Sequence, residues 1–381
     1  MIDILYDDGR DPRQVKAEQT AADLQKRQQA RASKTPALVA WNAYVCARTP
    51  KWGERHKIDH EVIVQIGGEP ITRGRRLGRS AVKSPGILRS LLELPLRDIT
   101  RDVVAAWLEK NSQTRPTLTR RALACLGAFI AWASNHPDYR DETNQNACSK
   151  LAKELPKAGV KDDCLQREQL KLWFESVRSI PNRTVSAYLQ ILLLTGARRN
   201  ELGSLRWEDV DFQWKSLTIR DKVEGERDIG MTPYVASLLR ELQCANETRP
   251  RVLNMKGADI GQEWKPSPWV FASKTAADGR MKEPRIAHNK ALRAAGLPAL
   301  SIHGLRRSFG TLAEWVECPA GISAQIMGHK PSAIAEKHYR RRPLDLLRQW
   351  HTRIEAWILE QAGITFDVVD GADVIPLRTA G

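Results

Sequence analysis

The chain has 381 residues, 42% of them hydrophobic, and its 60 Lys and Arg outnumber its 45 Asp and Glu by 15. That length provides for two or three domains with cores of their own, and no stretch approaches the roughly 18 consecutive apolar residues a membrane span needs. The polar first thirty residues do not read as a secretory signal, and the basic excess points to a polyanion, with nucleic acid the leading candidate.

Residues 1–35 read as a polar helix or linker, because PRQVKAEQTAADLQKRQQAR carries too little apolar surface to bury. A core-forming helix begins with ALVAWNAYVCAR at 37–48. The stretch 66–86 is rich in Gly and Arg, and Arg73, Arg75, Arg76 and Arg79 on a loop suit phosphate contacts as well as they suit a solubilising surface. Thr100 can cap DVVAAWLEK, with Val103, Val104, Trp107 and Leu108 on one face. In LTRRALACLGAFIAWAS, Leu123, Leu126, Ile130 and Ala133 keep helical spacing, leaving Arg120 and Arg121 exposed and available to DNA. Residues 36–155 thus read as a small helical domain, and the Pro, Gly and charge of 156–166 as a linker.

A second domain, 167–362, opens with two amphipathic helices, REQLKLWFESV and TVSAYLQILLLTG. Strands follow between Phe212 and Pro233, where Leu217 and Ile219 alternate, Gly225 offers a turn, and Ile229 and Met231 resume. Helical patterns return from about 285 to 361 and leave 363–381 as a tail. The expected fold is mainly α with a small antiparallel sheet, without internal repeats. The six cysteines are scattered with no CxxC, which suits reduced thiols in a cytosol and gives no zinc pattern. His56 and His60 form an HxxxH pair without an evident third ligand, so no metal site is expected.

Four separated stretches carry chemistry: TGARRNEL from Thr195, IRDKVEGER around Lys222, IHGLRRSF from Ile302 and MGHKPSAIAEKHYRRR from Met327. Together they resemble the tyrosine recombinases of the phage integrase family, whose signature is TGxRxxEL, a hairpin lysine, HxLR, then GH followed by a tyrosine. Arg198 and Glu201 match the first box, Lys222 the hairpin lysine, His303 and Arg306 the HxLR box, His329 the second histidine and Tyr339 the nucleophile. The hairpin box is loose, so Lys215 and Arg227 compete with Lys222 there. Tyr339 follows His329 by ten residues, one more than is common in the family.

The resemblance implies a helical core-binding domain of the SAM-like type before a catalytic domain, the two forming a C-shaped clamp round double-stranded DNA. It implies strand cleavage and rejoining through a 3′-phosphotyrosine at Tyr339, with Arg198 and Arg306 clamping the phosphate. His303 would act as the base-like contact, Lys222 as the general acid, His329 as a phosphate hydrogen-bond donor and Glu201 as a support. Residue chemistry agrees. A covalent phosphoenzyme conserves the bond energy, so neither ATP nor any other cofactor is implied, and two guanidiniums stand where many nucleases use a metal. Further implications are a homotetramer on attachment sites, DNA-bending and directionality accessory proteins, and a cytoplasmic, nucleoid-associated enzyme integrating or excising a prophage or genomic island. Gly9–Glu18 resembles the end of the arm-binding domain of many phage integrases, a domain otherwise missing from the sequence. Two alternatives remain open: a type IB topoisomerase-like relaxing activity, and a catalytically idle DNA-binding remnant.

Overall fold

Apolar residues at helical spacing draw the chain into two separate cores, one in each of two units, Met1–Val160 and Lys161–Gly381. The computed structural model describes residues 16–20, 36–72, 80–155, 159, 161–221, 225–249, 264–329 and 342–366. No helix among them is long and apolar enough to cross a membrane.

The first unit is built from α1 (Ala37–Arg48), α2 (Glu54–Val64), α3 (Arg89–Leu92), α4 (Arg101–Ser112) and α5 (Pro116–Ala133). Thr100 caps α4 by accepting a hydrogen bond from the Val103 amide, and Val104, Trp107 and Leu108 are buried below it. The apolar stripe of α5 meets Trp41, whose ring stands edge-on to Phe129 at 5.4 Å. Arg120 and Arg121 differ from expectation: both are half-buried, and Arg121 is ion-paired with Asp59 of α2. His60 is a core residue, stacked 4.1 Å from the Trp52 ring, and burial lowers its pKa. Residues 68–71 pair antiparallel with 81–83, bridged at Pro70 and Val82; Arg73, Arg75, Arg76 and Arg79 lie outside the described residues.

The second unit contains α6 (Leu170–Arg178), α7 (Arg183–Thr195) and α8 (Arg199–Gly203). Then come strands β1 (Val210–Asp211), β2 (Ser216–Asp221) and β3 (Gly225–Gly230). It continues through α9 (Pro233–Glu247), α10 (Arg285–Ala294), α11 (Ile302–Ala313), α12 (Ala320–Met327) and α13 (Leu344–Ala362). The strands pair antiparallel in the order β1-β2-β3, with Leu217 opposite Ile229 and Ile219 opposite Arg227. Helix α7 is buried at every residue from Val185 to Thr195, so it is the spine of this unit rather than a surface helix. It ends at Gly196 with φ +59°, where a Cβ would stand 2.6 Å from the Phe309 ring of α11. Only glycine satisfies both the left-handed turn and that contact.

Helix α13 packs on its own unit through Leu347, Ile354, Ile358 and Leu359, with Trp350 and Trp357 partly buried against the same core. Its Glu355, also buried, caps α9 by accepting from the Thr232 hydroxyl, the Tyr234 amide at 2.8 Å and the Val235 amide at 3.2 Å. Burial outweighs these donors and pushes the carboxyl up from 4.5 to about 7. The native state therefore keeps a proton that the unfolded chain releases near pH 4.5. Stability present below that pH is lost as pH rises through 7, to a total of about 3 kcal/mol. Thermal melts of wild type and Glu355→Gln should thus diverge, with wild type losing about 2–3 kcal/mol relative to the variant between pH 5 and 8. A constant difference would mean that the carboxyl is ionised throughout.

Candidate active site

The TG turn, the start of α8, β3, the start of α11 and the end of α12 converge on one cluster. Arg198 precedes α8 in extended backbone, and Glu201, one turn on, reaches back to it. The Glu201 carboxylate accepts from the Arg198 amide at 3.0 Å and from Arg198 Nη1 at 2.6 Å. Arg198 Nη2 donates to the Gly328 carbonyl at 3.1 Å, and its side chain stays 42% exposed, so the guanidinium is oriented and still reachable.

Arg306 lies on α11, whose N-terminus is capped by the Ser301 hydroxyl accepting from the Gly304 amide. It is only 4% exposed, and its Nη1 donates to the carbonyls of Gly196 and Met327, each at 2.6 Å. The arginine of the HxLR box thereby ties the TG turn to the GH turn. Gly328 has φ +74°, and a Cβ there would fall 2.5 Å from Cζ of Arg227. The left-handed backbone thus calls for glycine in the GH pair, and a side chain there would also push the Arg227 guanidinium out of place.

His303 and His329 are both exposed at this cluster. Burial of the ring surroundings, then the positive charges of Arg307 and Arg306, lowers the pKa of His303; burial, then Arg306, Arg198 and Arg227, lowers that of His329. Neutral imidazoles at neutral pH follow, able to accept a proton as well as donate a hydrogen bond. The arginines adjacent in sequence to the box residues are committed elsewhere: Arg199 pairs with Glu283 and Arg307 with Asp163. An open groove of about 1390 Å³ runs past Arg198, Glu201 and His303, lined also by Arg220, Arg280 and Arg293.

Lys222 and Tyr339 lie outside the described residues. Of the basic residues competing with Lys222, Lys215 lies at the far end of the β2–β3 pair, next to the Ser216–Gly230 register, whereas Arg227 joins the cluster. Its Nη2 donates to Glu201 at 2.8 Å and to the Met327 carbonyl at 3.2 Å. Sequence reasoning saw Arg227 only as a rival for the hairpin lysine. The available signal was its parity with Ile219 and Ile229, which turns Arg227 with the inward face of the sheet in a position where a cation needs a partner.

The sequence matches the profile of the phage integrase core-binding domain over residues 36–154 and that of the phage integrase family over 164–343. It is 49% identical over 376 residues to the prophage integrase IntF of Escherichia coli strain K12, covering 96% of this chain and 76% of that one. The chain belongs to the phage integrase family. This integrase is therefore an enzyme of site-specific recombination, a tyrosine recombinase. The integrase of Streptomyces ambofaciens is 23% identical over 272 residues, covering 65% of this chain and 66% of its own length. The fold of this integrase is similar to that of a lambda integrase tetramer bound to a Holliday junction, with TM-score 0.57 and 16% identity over 88% of this chain and 91% of that one. It is equally similar to a fragment of the Tn1549 transposon integrase in complex with circular intermediate DNA, with TM-score 0.56 and 16% identity over 83% and 98%.

Proposed function

We propose that this integrase breaks and rejoins double-stranded DNA at paired attachment sites, for integration or excision of the element that carries it. The Tyr339 oxygen attacks the scissile phosphorus, the bond to the 5′-oxygen breaks, and a 3′-phosphotyrosine and a free 5′-hydroxyl result. His303 takes up the tyrosine proton and Lys222 supplies one to the leaving oxygen, so attack by the partner strand's 5′-hydroxyl runs the same steps in reverse. Arg198 and Arg306 hold the non-bridging oxygens, which gain charge in the transition state, with His329 donating to one of them and Glu201 orienting Arg198. The observation that carries this reading is the single hydrogen-bonded frame in which Arg198 and Arg306 are anchored to the turns before α8 and after α12, with two neutral-leaning histidines beside them.

Exchange between two duplexes breaks four strands, and one tyrosine per strand calls for four protomers on the DNA. Residues 36–155 serve as the core-binding domain and 167–362 as the catalytic domain, joined by the 156–166 linker. Arginines of the groove, together with Arg120 and the arginines of 73–79, contact backbone phosphates, so binding weakens steeply with salt. DNA-bending and directionality proteins assist. All six cysteines are free thiols, which suits a reducing cytoplasm.

The test uses a nicked duplex spanning the junction of the element that carries this gene, run on a denaturing gel after incubation with the protein. A covalent protein–DNA band, together with recombination of a pair of such sites, is the expected result. A band with relaxation of supercoils but no recombination would favour the topoisomerase-like activity. Binding in a gel shift with no band would make this a DNA-binding remnant.

A further inference from the structure

Five groups of the cluster form a closed ring. Arg198 holds one oxygen of Glu201 through Nη1 and the Gly328 carbonyl through Nη2. Arg227 holds the other Glu201 oxygen and the Met327 carbonyl, both through its Nη2. The peptide linking Met327 to Gly328 closes the circuit, and Arg306 shares the Met327 carbonyl from outside it. Glu201 is the one carboxylate of the ring, with a side chain 6% exposed, and Arg227 is 18% exposed on the strand that follows the Lys222 segment.

This arrangement has an electrostatic consequence. A buried carboxylate facing a single arginine forms a neutral pair, and the arginine's field at a neighbouring phosphate is largely cancelled. A second arginine on the same carboxylate leaves the trio with a net positive charge. The exposed member, Arg198, then presents that charge outward, while Arg227 stays half-buried against Gly328. A Cβ at Gly328 would fall 2.5 Å from Cζ of Arg227, so a side chain there would displace the Arg227 guanidinium.

We propose that Arg227 is a positioning residue for the recombination chemistry, holding Glu201 and the Met327–Gly328 turn so that Arg198 keeps its positive charge directed at the scissile phosphate. The inference rests on the assignment of Arg198 to phosphate binding made above. Arg227 need not touch DNA. Its effect reaches the phosphate through Arg198 and through the peptide that bears His329.

A substrate that lacks the charge separates this role from a structural one. Replacing a non-bridging oxygen of the scissile phosphate by methyl gives a neutral methylphosphonate, on which the positive field has little to stabilise. Single-turnover adduct formation is measured for wild type, Arg227→Met and Arg227→Lys on the phosphodiester and on the methylphosphonate. Arg227→Met is expected to slow the phosphodiester reaction about 100-fold and the methylphosphonate reaction less than about tenfold. Arg227→Lys keeps the charge but cannot reach both acceptors, so its loss falls between these and narrows in the same direction. Affinity in a gel shift should stay within about threefold, because the Arg227 side chain is only 18% exposed and its Nη2 is engaged by Glu201 and the Met327 carbonyl. Equal losses on the two substrates, or wild-type rates in Arg227→Met, would overturn the proposal. A poorly folded Arg227→Met leaves the decision to the Arg227→Lys ratio, since a reduced folded fraction lowers both rates alike. Wild type that forms no adduct on the phosphodiester is a separate result, and it removes the reading of Arg198 on which this one stands.

Discussion

Tyr339→Phe is expected to form no covalent adduct on the nicked duplex while binding it with wild-type affinity. The change deletes one oxygen and keeps the ring, so the loss falls on chemistry alone and reaches about 10⁶ in rate for a missing nucleophile. The four other tyrosines among the described residues sharpen the assignment. Tyr188 donates its hydroxyl to the Arg199 carbonyl at 2.8 Å, and Tyr234 donates to Gln190 at 2.7 Å. Burial raises the pKa of both, as it does for buried Tyr44, so none of the three is a ready phenolate. Tyr139 sits among Trp132 and His136 in the first unit. Quantifying the protein–DNA band on a denaturing gel decides the matter, and an adduct that survives in Tyr339→Phe would move the nucleophile to another side chain.

The elements of this integrase were legible wherever one face of a segment is buried. The stripe of α5, the Thr100 cap and the alternation of Leu217, Ile219 and Ile229 are local signals with local causes, and the structure has each of them. The spacing of the boxes also carried the Arg198–Glu201 contact, though by another geometry: Arg198 is the extended residue before α8, and Glu201 in the first turn reaches back to it. The ties that organise the site are of another kind. Arg306 reaches Gly196 and Met327, Arg227 reaches Glu201 and Met327, and Glu355 reaches the start of α9. Each joins residues far apart in sequence, and all but the Arg227–Glu201 pair end on backbone carbonyls or amides, which carry no residue-type signature. The expected exposure of Arg120 and Arg121 was only partly legible, because periodicity marks the outer side of α5 but not the Asp59 carboxylate of another helix that pairs with Arg121.

Arg306→Ala is expected to lose cleavage by at least about 10³ and, at the same time, to melt earlier. Residue type alone suggests a purely catalytic defect with an intact fold, since a phosphate clamp need not support anything else. The structure changes that expectation, because the buried guanidinium satisfies two carbonyls, those of Gly196 and Met327. Removing it takes that donor from the Gly196 carbonyl and leaves the Met327 carbonyl to Arg227, which costs about 1–3 kcal/mol and loosens the turns that present Arg198 and His329. Arg306→Lys separates the two contributions. Its ammonium can reach the carbonyls and restore much of the melting temperature, but it lacks the planar fork that can hold the turns and two phosphate oxygens together. Melting curves and single-turnover cleavage on one set of samples read both quantities. Recovery of stability in Arg306→Lys without recovery of cleavage assigns the guanidinium to the phosphate. Recovery of both would reduce Arg306 to a support for the turns and leave the clamp to Arg198 alone.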